Sequence, residues 1–283
     1  MEGYISEQML DDYKKNGYVK VTQMFNKEEI THIEKAIIDG NIASHGYGAK
    51  DGEGGAMNMV LWWHPGNDVT GMVARSSRIV TACEKILGEE VYHYHTKLMM
   101  KQPKTGGKFI WHQDYGYWYN FGFLFPNMMT VFIAVDPCKK ENGCLQVLKG
   151  SHLCGRINHK KQGYQVGADL DRIEVIEKCC PKEYVEMDPG DVLFFDCNLL
   201  HCSSENLSAE RRWAFLCAYS SVTNAPLTNH KPSLYTPLDT VPDSAILDCK
   251  QFQPNDEEKL FYNPETDVLD DLPFKQNTEG GKE

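Results

Sequence analysis

Apolar positions in the first forty residues fall at helical spacing, break, alternate briefly and resume at helical spacing. The stretch "SEQMLDDYKKNG" opens at Ser6, whose hydroxyl suits the free amides of a first turn, and closes at Asn16-Gly17, where glycine allows a left-handed stop. "YVKVTQMF" is β-prone. Asn26 and Glu29 then stand at capping-box spacing ahead of Ile30, Ile33, Ile37 and Ile38, a set the helical period assigns to one face as far as Gly40. From Val91 the period changes to two. "VYHYHTKLMMKQ" alternates, "MMTVFIAVD" is a short apolar run, "CLQVL" follows the turn "KENG", and "RRWAFLCAYS" comes later. "YVEMDPGDVLFFD" reads as two strands joined by Asp188-Pro189-Gly190-Asp191, with proline and glycine in the order a turn requires. Short strands separated by turns and preceded by helices predict a mainly β fold with flanking helices, an antiparallel double-sheet jelly roll.

This pattern divides one expected domain, residues 1–283, into four stretches: helical support over about 5–40, a loop or lid over about 41–70, a jelly-roll core over about 91–222, and an extension over about 223–283. The 41–70 stretch carries "SHGYGAKDGEGGAMN" and follows neither period, so it reads as an irregular binding element, a lid or a flexible linker. The tail from about Asn255 is polar, acidic at its ends and expected to fray. No internal repeat is visible.

At 283 residues and 41% hydrophobic content the chain can bury a substantial core. A formal net charge of -11 argues against nucleic acid and anionic membrane surfaces as partners, because both draw on a surplus of Lys and Arg. No apolar run approaches the roughly 20 residues that span a bilayer. The first residues, "MEGYISEQML", lack the basic head and apolar stretch of a signal peptide, and "GGKE" is not an organelle address; a cytoplasmic location is expected. Ten scattered cysteines suit reduced thiols better than a disulfide framework. "CNLLHC" invites a zinc reading, but no CxxC pair accompanies it.

The candidate chemistry centres on "FIWHQDYGYWY", residues Phe109 to Tyr119. On a strand, positions i and i+2 project from one face, so His112 and Asp114 would offer an imidazole and a carboxylate to the same space. A second histidine would complete a two-histidine, one-carboxylate set. His201 in "FFDCNLLHCSSEN" is the best candidate, with Ser203 beside it and Arg212 eleven residues on, whose fork can hold a carboxylate bidentately. His93, His95 and His152 compete for the ligand role.

With these residues in place, the sequence resembles the phytanoyl-CoA dioxygenase family of Fe(II)- and 2-oxoglutarate-dependent oxygenases. The resemblance covers roughly residues 5–222 and rests on "WHQD", "ENGCLQVLKGSH", "PGDVLFFD" and "HCSSENLSAERR". It implies a cupin-like double-stranded β-helix, His112, Asp114 and His201 as metal ligands, and Arg212 as the anchor for the distal carboxylate of 2-oxoglutarate. Ser203 matches a position that supports that carboxylate, and Phe132 one that lines the co-substrate pocket. Lys97 falls where phytanoyl-CoA hydroxylases have an apolar residue, and reads equally as a second cation for 2-oxoglutarate or as a surface strand residue. The implied reaction uses O2 and 2-oxoglutarate, releases succinate and CO2, and hydroxylates or desaturates an unactivated C–H bond, with ascorbate as the expected reductant. An intact Asp114 argues against halogenation.

Within the family, "FIWHQDYGYW" is similar to the signature segment of the ectoine hydroxylases at Phe109, Trp111, His112, Asp114 and Trp118, and departs from it at Tyr115, Gly116 and Tyr117. Certain free L-proline hydroxylases are similar as well, so the implied substrate is a small amino-acid-like molecule. Trp111, Tyr115, Tyr117 and Trp118 read as walls of a water-poor pocket or as ordinary sheet packing, and Arg156 as a cation for the substrate's carboxylate or as a solvated loop arginine. Two alternatives remain open: a hydroxylase of an acyl-CoA or lipid-like acid, for which "NHKKQ" would supply basic contacts, and a non-catalytic iron and 2-oxoglutarate sensor. The sequence carries no signal for an oligomeric state.

Overall fold

The computed structural model describes residues 4–50, 55–227 and 238–263. In helix α1 (Glu7–Asn16) the Ser6 side chain accepts from the Met9 amide and Gly17 ends the helix at φ 82°. Strand β1 (Tyr18–Val21) leads to α2 (Lys27–Asp39), whose capping box between Asn26 and Glu29 is reciprocal. Ile30, Ile33 and Ile37 are buried on α2, but Ile38 is 52% exposed, because it lies about 100° round the helix from Ile37.

The described part of the stretch expected to be irregular, 41–50 and 55–70, contains paired strands. Strands β2 (Tyr47–Lys50) and β3 (Ala56–Trp62) pair antiparallel, and β3 in turn pairs with β4 (Val91–Lys101). The neighbouring strand supplies the register that the glycine-rich sequence lacks. Helices α3 (Val69–Arg75) and α4 (Ser77–Leu87) follow, with the Asp68 side chain capping α3.

Beyond β4 come β5 (Phe109–His112), α5 (Asp114–Trp118), β6 (Met128–Ala134), β7 (Leu145–Leu148), β8 (His159–Gln162), β9 (Gln165–Ala168) and α6 (Leu170–Ile176). The remaining elements are β10 (Lys182–Val185), β11 (Val192–Asp196), β12 (His201–Ser203), β13 (Arg212–Ser221), α7 (Ala245–Asp248) and α8 (Asp256–Lys259). Among the described residues a seven-stranded sheet runs β1-β11-β6-β13-β4-β3-β2, a four-stranded sheet runs β10-β7-β12-β5, and β8 and β9 form a hairpin. The strands pair antiparallel, giving the jelly roll with flanking helices that the periodicity predicts. The turn at Pro189-Gly190 does not close a hairpin: β10 lies in the small sheet and β11 in the large one, so the turn carries the chain between them.

One apolar cluster joins the helices to the outer face of the large sheet, through Ile33, Ile37, Val73, Ile79, Phe194 and Phe215. A second fills the space between the sheets, through Phe132, Val147, Leu193, Phe195, Leu199 and Ala214. A bulge interrupts β4, where His93 pairs with Tyr219 and His95 with Ala218, leaving Tyr94 as the extra residue. Tyr94 and His95 consequently lean to one side, their rings 4.6 Å apart, while His93 faces Tyr219 and bonds Thr96 Oγ1.

Within Asn255–Asn263, expected to fray, Lys259 and Tyr262 are buried and anchor an otherwise largely exposed segment. Lys259 is 0% exposed. Its Nζ lies 3.1 Å from Asp68 Oδ2, donates to Pro65 O and Thr70 Oγ1, and sits 5.0 Å over the Trp62 ring. Burying this ammonium requires such a full set of partners, which is why the segment cannot peel away cheaply. Residues 264–283 lie outside the described residues.

Candidate metal centre and its pocket

His112 is the last residue of β5 and His201 the first of β12, and the two face each other across the small sheet with ring centroids 4.1 Å apart. Asp114 is not on the strand. The ladder ends at His112, Gln113 caps a short helix, and Asp114 begins α5, so the pair converges through a strand-to-helix turn and not through the period-two geometry expected. Ligand atoms of His112, Asp114 and His201 lie within 4.8 Å of one another, and all three residues are buried.

Each imidazole is oriented from behind. His112 Nδ1 donates to Ile110 O at 2.8 Å and His201 Nδ1 to Leu199 O at 2.9 Å, which leaves both Nε2 atoms as acceptors directed to the shared space. Asp114 Oδ2 accepts from Thr130 Oγ1 at 2.6 Å, leaving Oδ1 for a cation. Burial holds the pKa of His112 well below its ordinary value and lowers that of His201, so both imidazoles are neutral, the form that ligates. Cys202 lines the same space, but burial pushes its thiol up to about 12, so it offers no thiolate. His159 has both nitrogens engaged, with Gln113 N and Ile157 O, and burial lowers it to about 4. The donor set is therefore two neutral nitrogens and one carboxylate oxygen on one side of a site open on the other. Such a set fits Fe(II) with free coordination positions.

The open side is a cavity of about 70 Å³ between the sheets, lined in part by Lys97, Phe132, Ser203 and Arg212. Arg212 is 2% exposed. Its Nη2 donates to Gly143 O at 2.8 Å, while its buried Nε has no hydrogen-bond partner among the described residues. The adjacent Arg211 takes the carboxylates of Asp136 and Glu34, so the two arginines divide the work: one is structural, the other a desolvated cation facing a cavity. A buried guanidinium with an orphaned N–H is costly unless a carboxylate completes it. Lys97, half-buried, also faces the cavity; burial is the main cause that lowers the pKa of His95, His112 and His201, and the Lys97 charge acts in the same direction.

Four aromatic residues of the Phe109–Tyr119 motif, Trp111, Tyr115, Tyr117 and Trp118, stand one layer further out. The short helix spreads the side chains of Tyr115, Tyr117 and Trp118 around its circumference, while Trp111 stays on β5. Tyr115 donates to Phe123 O, Tyr117 donates to Val166 O at 2.5 Å, and Trp118 packs edge-on against Tyr94 and His95. Trp111 packs with Leu148, Ile157 and Ala168 in a separate cluster. None of the four lines the cavity, whose apolar wall includes Met59, Met99, Phe109, Leu145 and Leu216. Arg156 is exposed, 4.3 Å over the Tyr119 ring, and does not line the cavity.

Thr130 and Met59, for which the sequence gives no signal, also line the cavity, and so does His95, which the sequence offers only as a competing ligand. His95 was visible as a histidine two positions from His93 and from Lys97, but only the bulge reveals that it turns inward. Its Nδ1 is buried with no hydrogen-bond partner among the described residues.

The jelly roll and its donor set are those of the Fe(II)- and 2-oxoglutarate-dependent dioxygenases, an enzyme class. More narrowly, the chain belongs to the phytanoyl-CoA dioxygenase (PhyH) family, whose model matches residues 13–214. It is 29% identical over 198 residues to an L-proline trans-4-hydroxylase of Streptomyces griseoviridis, covering 63% of this chain and 73% of that one. It is 25% identical over 247 residues to an ectoine dioxygenase of Stutzerimonas stutzeri (strain A1501), covering 81% and 82%. Among solved structures, EctD from S. alaskensis with 2-oxoglutarate and 5-hydroxyectoine superposes with a TM-score of 0.71 at 21% identity, covering 85% of this chain and 89% of that one. No helix among the described residues is long and apolar enough to cross a membrane.

Proposed function

We propose that the whole chain is one oxygenase domain that hydroxylates an unactivated C–H bond of a small amino-acid-like substrate, such as free L-proline or an ectoine-like solute. Succinate and CO2 would be the co-products, with ascorbate as reductant. The observation that carries this reading is the orphaned, buried Arg212 Nε in the same cavity as the His112, Asp114 and His201 donors. That juxtaposition suits a dicarboxylate held at one end by a metal and at the other by a guanidinium.

When bound, Fe(II) with 2-oxoglutarate and O2 supplies the oxidising chemistry. The chain's part is placement. His112 and His201 ligate through Nε2, fixed by the Ile110 and Leu199 carbonyls, and Asp114 through Oδ1. Arg212 binds the distal carboxylate of 2-oxoglutarate, Ser203 offers its hydroxyl to the same group, and the Phe132 ring, 5.9 Å from the guanidinium, flanks it. Lys97 adds a second cation on the cavity wall. His95, neutral and held edge-on by Trp118, presents a polar ring to the substrate side. The apolar wall excludes water that would divert the oxidation.

The relatives named for proline and ectoine support a small polar substrate. An acyl-CoA would need a basic patch, and of the cluster at Asn158–Gln162, Lys160 is already paired with Asp169. The test is succinate formation by the purified protein with Fe(II), ascorbate, O2 and 2-oxoglutarate, screened against L-proline, other amino acids, ectoine and acyl-CoAs. Stimulation by an amino-acid-like compound, with a product heavier by one oxygen, is expected. Stimulation by acyl-CoAs alone would replace this reading, and binding of iron and 2-oxoglutarate without turnover of any compound would favour a sensor.

A further inference from the structure

Gln113, the residue between the two members of the H-x-D pair, is 0% exposed. Every hydrogen-bonding group of its side chain is used. Nε2 donates to Gly155 O at 2.8 Å and to Asn198 O at 2.7 Å, and Oε1 accepts from Ile157 N at 2.7 Å. The backbone amide of Gln113 lies beyond the end of the β5 ladder and donates to His159 Nε2 at 3.0 Å. His159 Nδ1 donates in turn to Ile157 O at 2.9 Å, which fixes its tautomer with Nε2 as the acceptor.

Three segments distant in sequence therefore meet at one side chain. The first is the turn that carries His112 and Asp114. The second is the Gly155–His159 loop. The third is the Asn198–Leu199 turn, whose Leu199 carbonyl orients His201. The approach of His159 is close enough to dictate a glycine: a Cβ at position 116 would lie 1.9 Å from His159 Cε1. The Tyr117 ring stands 5.0 Å from the imidazole, in a T-shaped contact.

We infer that Gln113 and His159 are positioning residues that fix the distance and orientation of the His112/Asp114 pair relative to His201, and so set metal affinity and coordination geometry. This rests on the metal-centre reading above. A strand-to-helix turn has no ladder bonds of its own to hold two ligands in register, and a buried amide left unpaired there would be costly. His159 satisfies that amide, and the Gln113 side chain ties the turn to the backbone leading to the opposite ligand. Outer partners of this kind typically contribute 10–100-fold to metal affinity.

The experiment is titration of the full-length, metal-stripped protein with Co(II) alone, read by the visible ligand-field spectrum, with circular dichroism confirming the fold. Gln113→Ala and His159→Leu should weaken Co(II) binding by about 10–100-fold and alter the band shape. His159→Gln keeps an acceptor for the Gln113 amide and should stay within a few-fold of the wild type. If Gln113→Ala does not fold, the contrast between His159→Leu and His159→Gln decides. Wild-type uptake with unchanged affinity and spectrum in His159→Leu overturns the inference alone, as does equal weakening in both His159 variants. A wild-type chain that takes up no Co(II) overturns the metal-centre reading and this inference together.

Discussion

Thr130 Oγ1 donates to Asp114 Oδ2 across 2.6 Å, linking the large sheet to the turn that leaves the small one. One carboxylate oxygen is thereby occupied and its partner left for the metal. Thr130→Val removes the hydroxyl at nearly constant volume and should loosen iron retention by about tenfold, with the fold intact. Asp114→Ala deletes a ligand and should abolish retention. Iron content after dialysis checks both, and normal iron in Asp114→Ala would refute the triad.

Arg212→Ala should raise the 2-oxoglutarate concentration required for turnover by roughly 10–100-fold, the range expected for losing a charge-assisted pair, while iron stays bound. Lys97→Met should have a smaller effect, because Lys97 is half-buried and already partly solvated. Measuring the 2-oxoglutarate dependence of succinate formation separates them. A reversal of that order would make Lys97 the main anchor.

His93 carries a stability signal distinct from the metal centre. Burial lowers its pKa from 6.5 to about 3, so the unfolded chain takes up a proton that the folded chain refuses. Its contribution is complete above pH 6.5 and is lost as the pH falls toward 3. The slope is about 1.4 kcal/mol per pH unit, or about 2 kcal/mol of destabilisation between pH 6.5 and 5. Urea unfolding at the two pH values should show at least this loss in the wild type, because burial depresses His95, His112, His159 and His201 as well, and a dependence shallower by about this amount in His93→Gln.

The buried pair of Lys259 and Asp68 should respond unequally to its two deletions. Asp68→Ala strands an ammonium and removes the α3 cap, for about 3–5 kcal/mol. Lys259→Met conserves volume and leaves Asp68 bonded to Thr70 and Gly71, so it should cost less. Equal losses in chemical denaturation would show that the buried Asp68 carboxylate, whose Oδ2 faces Lys259, is stranded as badly as the ammonium.

Features that depend on near neighbours were legible in the sequence, and features that depend on distant pairing were not. The Ser6 cap and the Asn26–Glu29 box are local, and both form as the spacing predicts. The H-x-D pair, His201 and Arg212 stand out because their chemistry is rare in that order, and the fold brings all four to one cavity. Strand β3 was obscured because its order comes from β4, and the helical course of Asp114–Trp118 because the aromatic run looks β-prone. Lys259 reads as one charge in an acidic tail until the distant Asp68 is beside it. Gln113 gives no signal at all, since its partners at 155, 157, 159 and 198 are far along the chain.

The bulge at Tyr94 acts as a phase shift in β4. Upstream of it the odd-numbered His93 faces the helices; downstream, the odd-numbered His95 and Lys97 face the cavity. Deleting Tyr94 would leave His93 opposite Tyr219 and His95 opposite Ala218 and so keep both facings, whereas pairing this stretch at constant length without the bulge would turn His95 and Lys97 away, withdrawing an imidazole and an ammonium from the site together. The chemistry of the cavity floor is thus encoded partly by where the extra residue sits in the register, and variants of this strand should be compared by their bulge before they are compared by identity.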